Sequence, residues 1–177
     1  MEKGRYKLYL LLGILIFVIA FLNRKKISKM IEHLKTIFLK FEGFTPVPLW
    51  DVKQWSWGYG TKVPGSISDK NIKPPGKITT DKAMQDSFVF VEKAAANIFP
   101  KIKVPLNDRQ KAAIISFAYN LGYGTGNNDP AGKLIQDINS KDKGRIEYGF
   151  KAYNRANGVA MKQLTARRKY EFDLFYS

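Results

Sequence analysis

The sequence contains no cysteine and only one histidine, His33. Without cysteine the chain can have no disulfide framework, no thiol switch and no cysteine-ligated metal site. A single histidine also excludes a histidine-rich metal site. We expect His33 on a solvated helix face and assign it no role.

Acidic residues are half as numerous as basic ones, 15 against 30, which gives the 177-residue chain a formal charge of +15. Residues 1–29 carry +6 of that charge and the rest of the chain carries +9. A domain this basic is attracted to anionic polymers. The charge permits nucleic-acid binding, but the sequence contains no recognition motif for it, so we expect no nucleic-acid partner. Nothing in the sequence indicates oligomerisation, and we expect a monomer.

Long apolar runs are scarce, and the one exception lies at residues 8–22, which read LYLLLGILIFVIAFL without a charge. A membrane-spanning helix needs about 17–25 residues, a length reached by including Tyr6 and Asn23. The competing interpretation is a cleaved signal peptide, but no small-residue cleavage site follows the run. We therefore predict a membrane anchor over residues 1–26 and a single domain over residues 27–177. Basic residues flank the run on both sides, so they do not decide its orientation.

An amphipathic helix follows the predicted anchor. Apolar residues at 30, 31, 34, 37, 38 and 41 have the spacing of one helical face. Gly43 stands where such a helix commonly ends. Glu42 is therefore predicted at the C-terminal tip of this helix, between the apolar residues Phe41 and Phe44.

A second carboxylate comes nine residues later, after two prolines. We predict Asp51 in an irregular, polar turn. Residues 55–60, which read WSWGYG, then predict a short aromatic strand with glycine breaks.

Two carboxylates in different surroundings are what hydrolysis of a glycosidic bond requires, since one must be protonated and the other ionised. Apolar neighbours and the negative end of the helix dipole disfavour the ionised form of Glu42, which suits the role of acid. Asp51, in a polar turn, suits the role of base or nucleophile. The Ser56 hydroxyl can help to hold the attacking water. From the residues alone the signal is modest, because most carboxylates are simply solvated.

The order Glu42-Gly-Phe, then Asp51, then SWGYGT over residues 56–61, resembles the active-site signature of the phage-type lysozymes, family 24 of the glycoside hydrolases. Glu42 and Asp51 match that signature directly. Ser56 stands at the position of the family's threonine, which keeps the hydroxyl and loses the methyl group. The turn between Asp51 and Ser56 is one residue shorter than the family pattern, and Thr61 occupies a position that is often histidine.

Two later blocks extend the resemblance. The first is LNDRQ over residues 106–110, followed by SFAYNLG ending at Gly122. We predict there a helix capped by Asn107 and buried nearly all round. By the resemblance, its Tyr119 and Asn120 lie at the substrate cleft. The second block, LTARRKYE over residues 164–171, implies that Arg167 lies near Glu42. A solvated basic helix face remains the alternative for Lys169 and for at least one of the two arginines.

Between these blocks, the sequence predicts loops over residues 62–77, a long helix from Thr79 or Thr80 to about Phe99, and short helices over residues 133–139 and 145–153. The resemblance implies an α+β fold with two lobes, a small β-hairpin lobe and a helical C-terminal lobe joined by the long helix, preceded by one transmembrane helix. It implies no cofactor and no metal.

The function that the resemblance implies is hydrolysis of the β-1,4 bond between N-acetylmuramic acid and N-acetylglucosamine in peptidoglycan, with inversion at the anomeric carbon. An anchored enzyme of this kind has its catalytic domain on the cell-wall side of the inner membrane. The alternative is a peptidoglycan-binding protein of the same fold with impaired catalysis, and the replacement at Ser56 and the shortened turn keep it open.

Overall fold

The computed structural model describes residues 29–51 and 53–177. The predicted anchor, residues 8–22, lies outside these described residues and stays a prediction from the sequence. Of the helices in the described part of the chain, none is both long and apolar enough to cross a bilayer.

The chain is helical over residues 29–41, here called α1. The centre of the predicted apolar stripe is buried, since Leu34, Ile37 and Phe38 are inaccessible to solvent, while Ile31 and Phe41 are partly buried. The helix ends as the sequence indicates, with the Glu42 amide donating to the Phe38 carbonyl at 3.0 Å and Gly43 at φ +66°. A positive φ costs glycine little, so Gly43 lets the chain turn away immediately after Glu42.

A three-stranded antiparallel sheet follows, in the order β1 (Thr45–Asp51), β2 (Gln54–Gly58) and β3 (Thr61–Lys62). The prediction of an irregular turn before Asp51 is wrong, because residues 45–51 form a strand. The sequence argued against a strand here because of Pro46 and Pro48, since proline has no backbone N–H to donate to a neighbouring strand. They are tolerated because β1 is an edge strand and its register shifts between Thr45 and Leu49, where both prolines lie.

The long helix α2 (Thr80–Ile98) carries the chain from the sheet to the helical lobe. Its cap is the predicted Thr79, whose side chain accepts from the Lys82 amide. Ala83, Val91 and Ile98 are buried along its length. A short 3-10 turn, Phe99–Lys101, ends it.

The helical lobe consists of α3 (Asp108–Leu121), α4 (Pro130–Ser140), α5 (Lys143–Lys151) and α6 (Lys162–Phe175), with a two-stranded hairpin, β4 (Arg155–Ala156) and β5 (Val159–Ala160), before α6. Asn107 caps α3 as predicted, in a reciprocal capping box with Gln110. Helices α4 and α5 begin two or three residues earlier than predicted, since Pro130 suits a first helical turn and Asp142 caps α5.

Helix α3 is the centre of the core, as its apolar sequence predicts, with residues 112–118 all buried. Phe117 packs edge to face against Phe150 on α5, with ring centroids 5.6 Å apart. Helix α6 packs along α3. This packing brings Arg167 of α6 into contact with Glu42 at the end of α1.

Candidate active site

Glu42 lies at the end of α1 in a mostly buried position, its side chain 15% exposed. Arg167 of α6 contacts it, with Nη2 2.6 Å from Glu42 Oε1. The arginine side chain is only 4% exposed. Water competes little with an ion pair this buried, so the two groups interact more strongly than they would at the surface. The structure thus brings together two of the residues that the sequence singled out.

The N–H groups of Arg167 are directed mainly at other partners. Nη2 donates to the Ser116 carbonyl at 3.1 Å and to the Ser116 hydroxyl at 3.3 Å, and Nε donates to Glu171 Oε1 at 3.0 Å. Within residues 29–51 and 53–177, Glu42 Oε1 receives no directed hydrogen bond, although it is buried. Its contact with Arg167 is therefore an ion pair rather than a directed hydrogen bond.

Arg167 also contacts a second carboxylate, Glu171, which is completely buried. Its Oε1 also accepts from the Ser116 hydroxyl at 2.6 Å, and its Oε2 accepts from Arg168 Nη1 at 2.7 Å. Burial raises the pKa of the Glu171 carboxyl, against the charges of Arg168 and Arg167 and the Ser116 hydrogen bond, which lower it. Because two guanidinium groups donate to its two oxygens, we assign Glu171 as ionised.

Asp51 and Ser56 lie on the β1–β2 hairpin. Asp51 is exposed at the end of β1 and pairs with Gln54, the first residue of β2. Ser56 is 6% exposed in β2, and its hydroxyl accepts from Gln54 Nε2 at 3.2 Å. Gln54, which sequence reasoning missed, therefore links the two predicted residues. No signal in the sequence distinguished it from an ordinary turn residue.

Tyr119 lies where the lobes meet. Its ring packs against Phe38 and Phe90, with centroids 4.5 and 4.9 Å away. Its hydroxyl donates to the Tyr59 carbonyl at 2.9 Å and lies 3.2 Å from Ser87 Oγ, and burial raises its pKa. These contacts give Tyr119 of α3 a packing role against α1, α2 and the turn between β2 and β3. Stacking on a sugar, the role predicted for it, stays a prediction.

Asn120 is exposed at the C-terminal end of α3, and its Oδ1 accepts from Arg168 Nη2. The amide group is thereby oriented by the same buried cluster that holds Arg167. Its predicted contact with substrate is compatible with this exposure but stays a prediction.

The model of the family described as "Phage lysozyme" matches residues 39–171, which include Glu42, the hairpin and Arg167. The chain belongs to the phage lysozyme family. Among curated proteins, none matches the sequence significantly.

Solved structures of similar fold include the endolysin of phage FAHEc1 of Escherichia coli O157:H7, with 26% identity over 83% of this chain and 90% of that one, and a TM-score of 0.65. A variant of the lysozyme of phage P22 has 25% identity over 85% of this chain and 97% of that one, with a TM-score of 0.60. The muramidase domain of SpmX from Asticcacaulis excentricus has 18% identity, covers 84% of this chain and 95% of that one, and has a TM-score of 0.64. The last supports the fold alone.

In this member of the phage lysozyme family, the two arginines of the C-terminal helix α6 do not lie on a solvated face, as one interpretation of the sequence proposed. At least one of Arg167 and Arg168 was expected on a solvated face, but both are buried, at 3% and 0% exposure, and only Lys169 is exposed. The signal was present, because the buried residues of α6 include four at helical i, i+3, i+4, i+7 spacing: Arg168, Glu171, Phe172 and Phe175. Charged residues on an apolar face indicate a buried ion pair.

The site consists of carboxylates, guanidinium groups and hydroxyls. In the part of the chain that the structure describes, no three acidic or histidine side chains converge in a way that could hold a metal ion. Thr61, at the position that is often histidine, donates to the Trp57 carbonyl at 3.3 Å and so helps to close the β2–β3 turn.

Proposed function

We propose that this protein hydrolyses peptidoglycan as a muramidase, cleaving the β-1,4 bond between N-acetylmuramic acid and N-acetylglucosamine. The observation that carries the proposal is Glu42, a mostly buried carboxylic acid at a helix end, held by Arg167 inside the segment that matches the phage lysozyme family. The basic charge of the domain supports it, since the cell wall is an anionic polymer.

In this proposal Glu42 is the general acid. It gives its proton to the glycosidic oxygen as the bond to the anomeric carbon breaks, so that the leaving sugar departs as an alcohol. Oε1 is buried against Arg167, which leaves Oε2 as the oxygen that carries the proton to the substrate. Arg167 holds the carboxyl in one orientation and stabilises the carboxylate left after proton transfer.

Asp51 and Ser56 orient the attacking water in this proposal. Asp51 takes one proton of the water as the new bond to the anomeric carbon forms, and the Ser56 hydroxyl, itself held by Gln54, fixes the position of the water. Attack from the face opposite the leaving group inverts the anomeric carbon. Such a mechanism needs carboxyl groups about 6.5–9.5 Å apart, with room for a water between them.

The products test the reaction class. Purified full-length chain in a mild non-ionic detergent is added to purified peptidoglycan, and the soluble fragments are analysed by mass spectrometry and by NMR before mutarotation. We expect hydrated muramic-acid reducing ends with the α configuration, the inverted form. Anhydro ends would show a lytic transglycosylase, and a retained β configuration would show that Asp51 does not act through a water.

Failure of the chain to release fragments, while it pellets with the wall, would favour the alternative. The observation behind that alternative is the sequence of the hairpin, in which the stretch from Asp51 to Ser56 is one residue shorter than the family pattern and a serine replaces its threonine. A wall-binding protein would retain affinity for peptidoglycan whether or not Glu42 is replaced.

Replacement of the Ser56 hydroxyl tests the water-positioning role. We expect Ser56→Ala to lower kcat about a hundredfold, because the attacking water loses one of its positioning groups. Ser56→Thr restores the hydroxyl and is expected to retain most of the activity. Initial rates of wall clearing measure both, with Ser68→Ala, an exposed serine in the same lobe, as the control. Full activity in Ser56→Ala would exclude a role for this hydroxyl.

A further inference from the structure

We infer that Glu171, a residue outside the predicted catalytic set, is a positioning residue that sets both the orientation of Arg167 and the charge felt by Glu42. The inference rests on the proposed role of Glu42 as general acid. It concerns a buried carboxylate that touches neither Glu42 nor, in the proposed mechanism, the substrate.

The geometry for this role is complete around Glu171. Its side chain is fully buried in α6, and each of its oxygens accepts from a different arginine: Arg167 Nε at 3.0 Å on Oε1 and Arg168 Nη1 at 2.7 Å on Oε2. The Ser116 hydroxyl of α3 adds a third donor at 2.6 Å on Oε1. A buried carboxylate with three directed donors has essentially one orientation available to it.

That fixed carboxylate in turn fixes Arg167. A guanidinium group is planar, so two directed contacts at different nitrogens determine its plane. Nε is held by Glu171 and Nη2 by the Ser116 backbone carbonyl. The remaining contact of Nη2, 2.6 Å to Glu42 Oε1, follows from these two and is not itself a directed hydrogen bond. Glu42 is thus positioned by an arginine that Glu171 and Ser116 orient.

Glu171 also balances charge. Two arginines of α6 interact with Glu42, Arg167 by direct contact and Arg168 through its charge, and Glu171 contacts both of them. Tyr119 of α3, which also interacts with Glu42, is kept neutral by burial. With Glu171 ionised, the two arginines are opposed by two carboxylates. Without that charge, Glu42 alone faces two guanidinium groups, and its ionised form becomes more favourable. A general acid must be protonated to act, so Glu171 protects the protonated form.

The test is Glu171→Gln in the full-length chain, which keeps the shape and removes the charge. We expect kcat on peptidoglycan to fall about tenfold or more through misplacement of Arg167. We also expect the alkaline limb of the pH–activity profile to move to lower pH. The shift of that limb is the informative readout, because a purely structural loss lowers activity without moving it. Glu147→Gln removes an equal charge from a half-exposed position on α5 and is expected to leave both readouts unchanged.

Two further measurements keep the inference falsifiable. Ser116→Ala retains all charges but removes one donor to Glu171, so kcat should fall while the alkaline limb stays where it is. NMR titration of carboxyl-labelled glutamate should likewise show the catalytic carboxyl ionising at lower pH in Glu171→Gln than in wild type. A folded variant with the wild-type midpoint and the wild-type limb would overturn the inference. An inactive wild type would overturn the proposed function instead, and the NMR comparison would still decide on Glu171.

Discussion

Glu42→Gln is expected to lower the rate of peptidoglycan hydrolysis about a thousandfold or more, the scale of a lost general acid. Glutamine has nearly the shape of glutamic acid but has no carboxyl proton to give to the glycosidic oxygen. The ion pair with Arg167 is lost at the same time, yet Arg167 keeps its hydrogen bonds to Ser116 and Glu171. The variant should therefore fold and bind the wall while failing to cleave it.

The measurement is the initial rate of fragment release, together with co-sedimentation with purified wall. Glu32→Gln is the matched control, because Glu32 is an exposed glutamate on the same helix. We expect wild-type rates from the control and wild-type sedimentation from both variants. Retention of more than a tenth of the activity by folded Glu42→Gln would remove Glu42 from the role of acid.

The local features of this site could be predicted from the sequence because they depend on near neighbours. Predicting the buried face of α1 required only the spacing of its apolar residues. Predicting its end required only Gly43, whose φ of +66° few other residues adopt readily. The caps Thr79 and Asn107 were visible for the same reason. Each is a contact within three or four residues of the chain, which the sequence displays directly.

Features that depend on contacts between distant parts of the chain were harder to predict from the sequence. Pro46 and Pro48 argue against a strand by local rules, and only the position of β1 at the edge of the sheet makes the strand acceptable. Tyr119 was placed at the substrate cleft by the family resemblance alone, and its contacts in the structure come from Phe38 and Tyr59 on other elements. No spacing rule contains that information.

The buried cluster of α6 is an intermediate case. Local spacing placed Arg168 and Glu171 on the apolar face of their helix, so their burial could have been predicted from periodicity. Their partners, Ser116 on α3 and Glu42 on α1, are far away in the sequence. The contact between Arg167 and Glu42 could be expected only from the family resemblance.

Arg167→Met is expected to destabilise the protein by about 3–5 kcal/mol, the cost of breaking a buried ion pair by removing one partner. The side chain is 4% exposed and contacts Glu42 Oε1, Glu171 Oε1 and Ser116. Methionine fills much of the volume but leaves both carboxylates short of a positive charge and leaves the Ser116 carbonyl without its side-chain donor. The loss is larger than for an exposed salt bridge because water cannot replace the missing partner.

Urea unfolding followed by circular dichroism measures the change, with Lys169→Met as the matched control. Lys169 lies on the same helix and pairs with Asp173 at 2.6 Å, but its side chain is 68% exposed. Its replacement should change stability by less than about 1 kcal/mol. Arg167→Lys separates charge from geometry: it restores a positive charge without the planar fork that bridges Glu42, Ser116 and Glu171. We expect it to recover part of the stability and little of the activity. Equal stability of Arg167→Met and Lys169→Met would mean that the buried cluster contributes no more than a surface ion pair, and the orientation of Glu42 would then need another source.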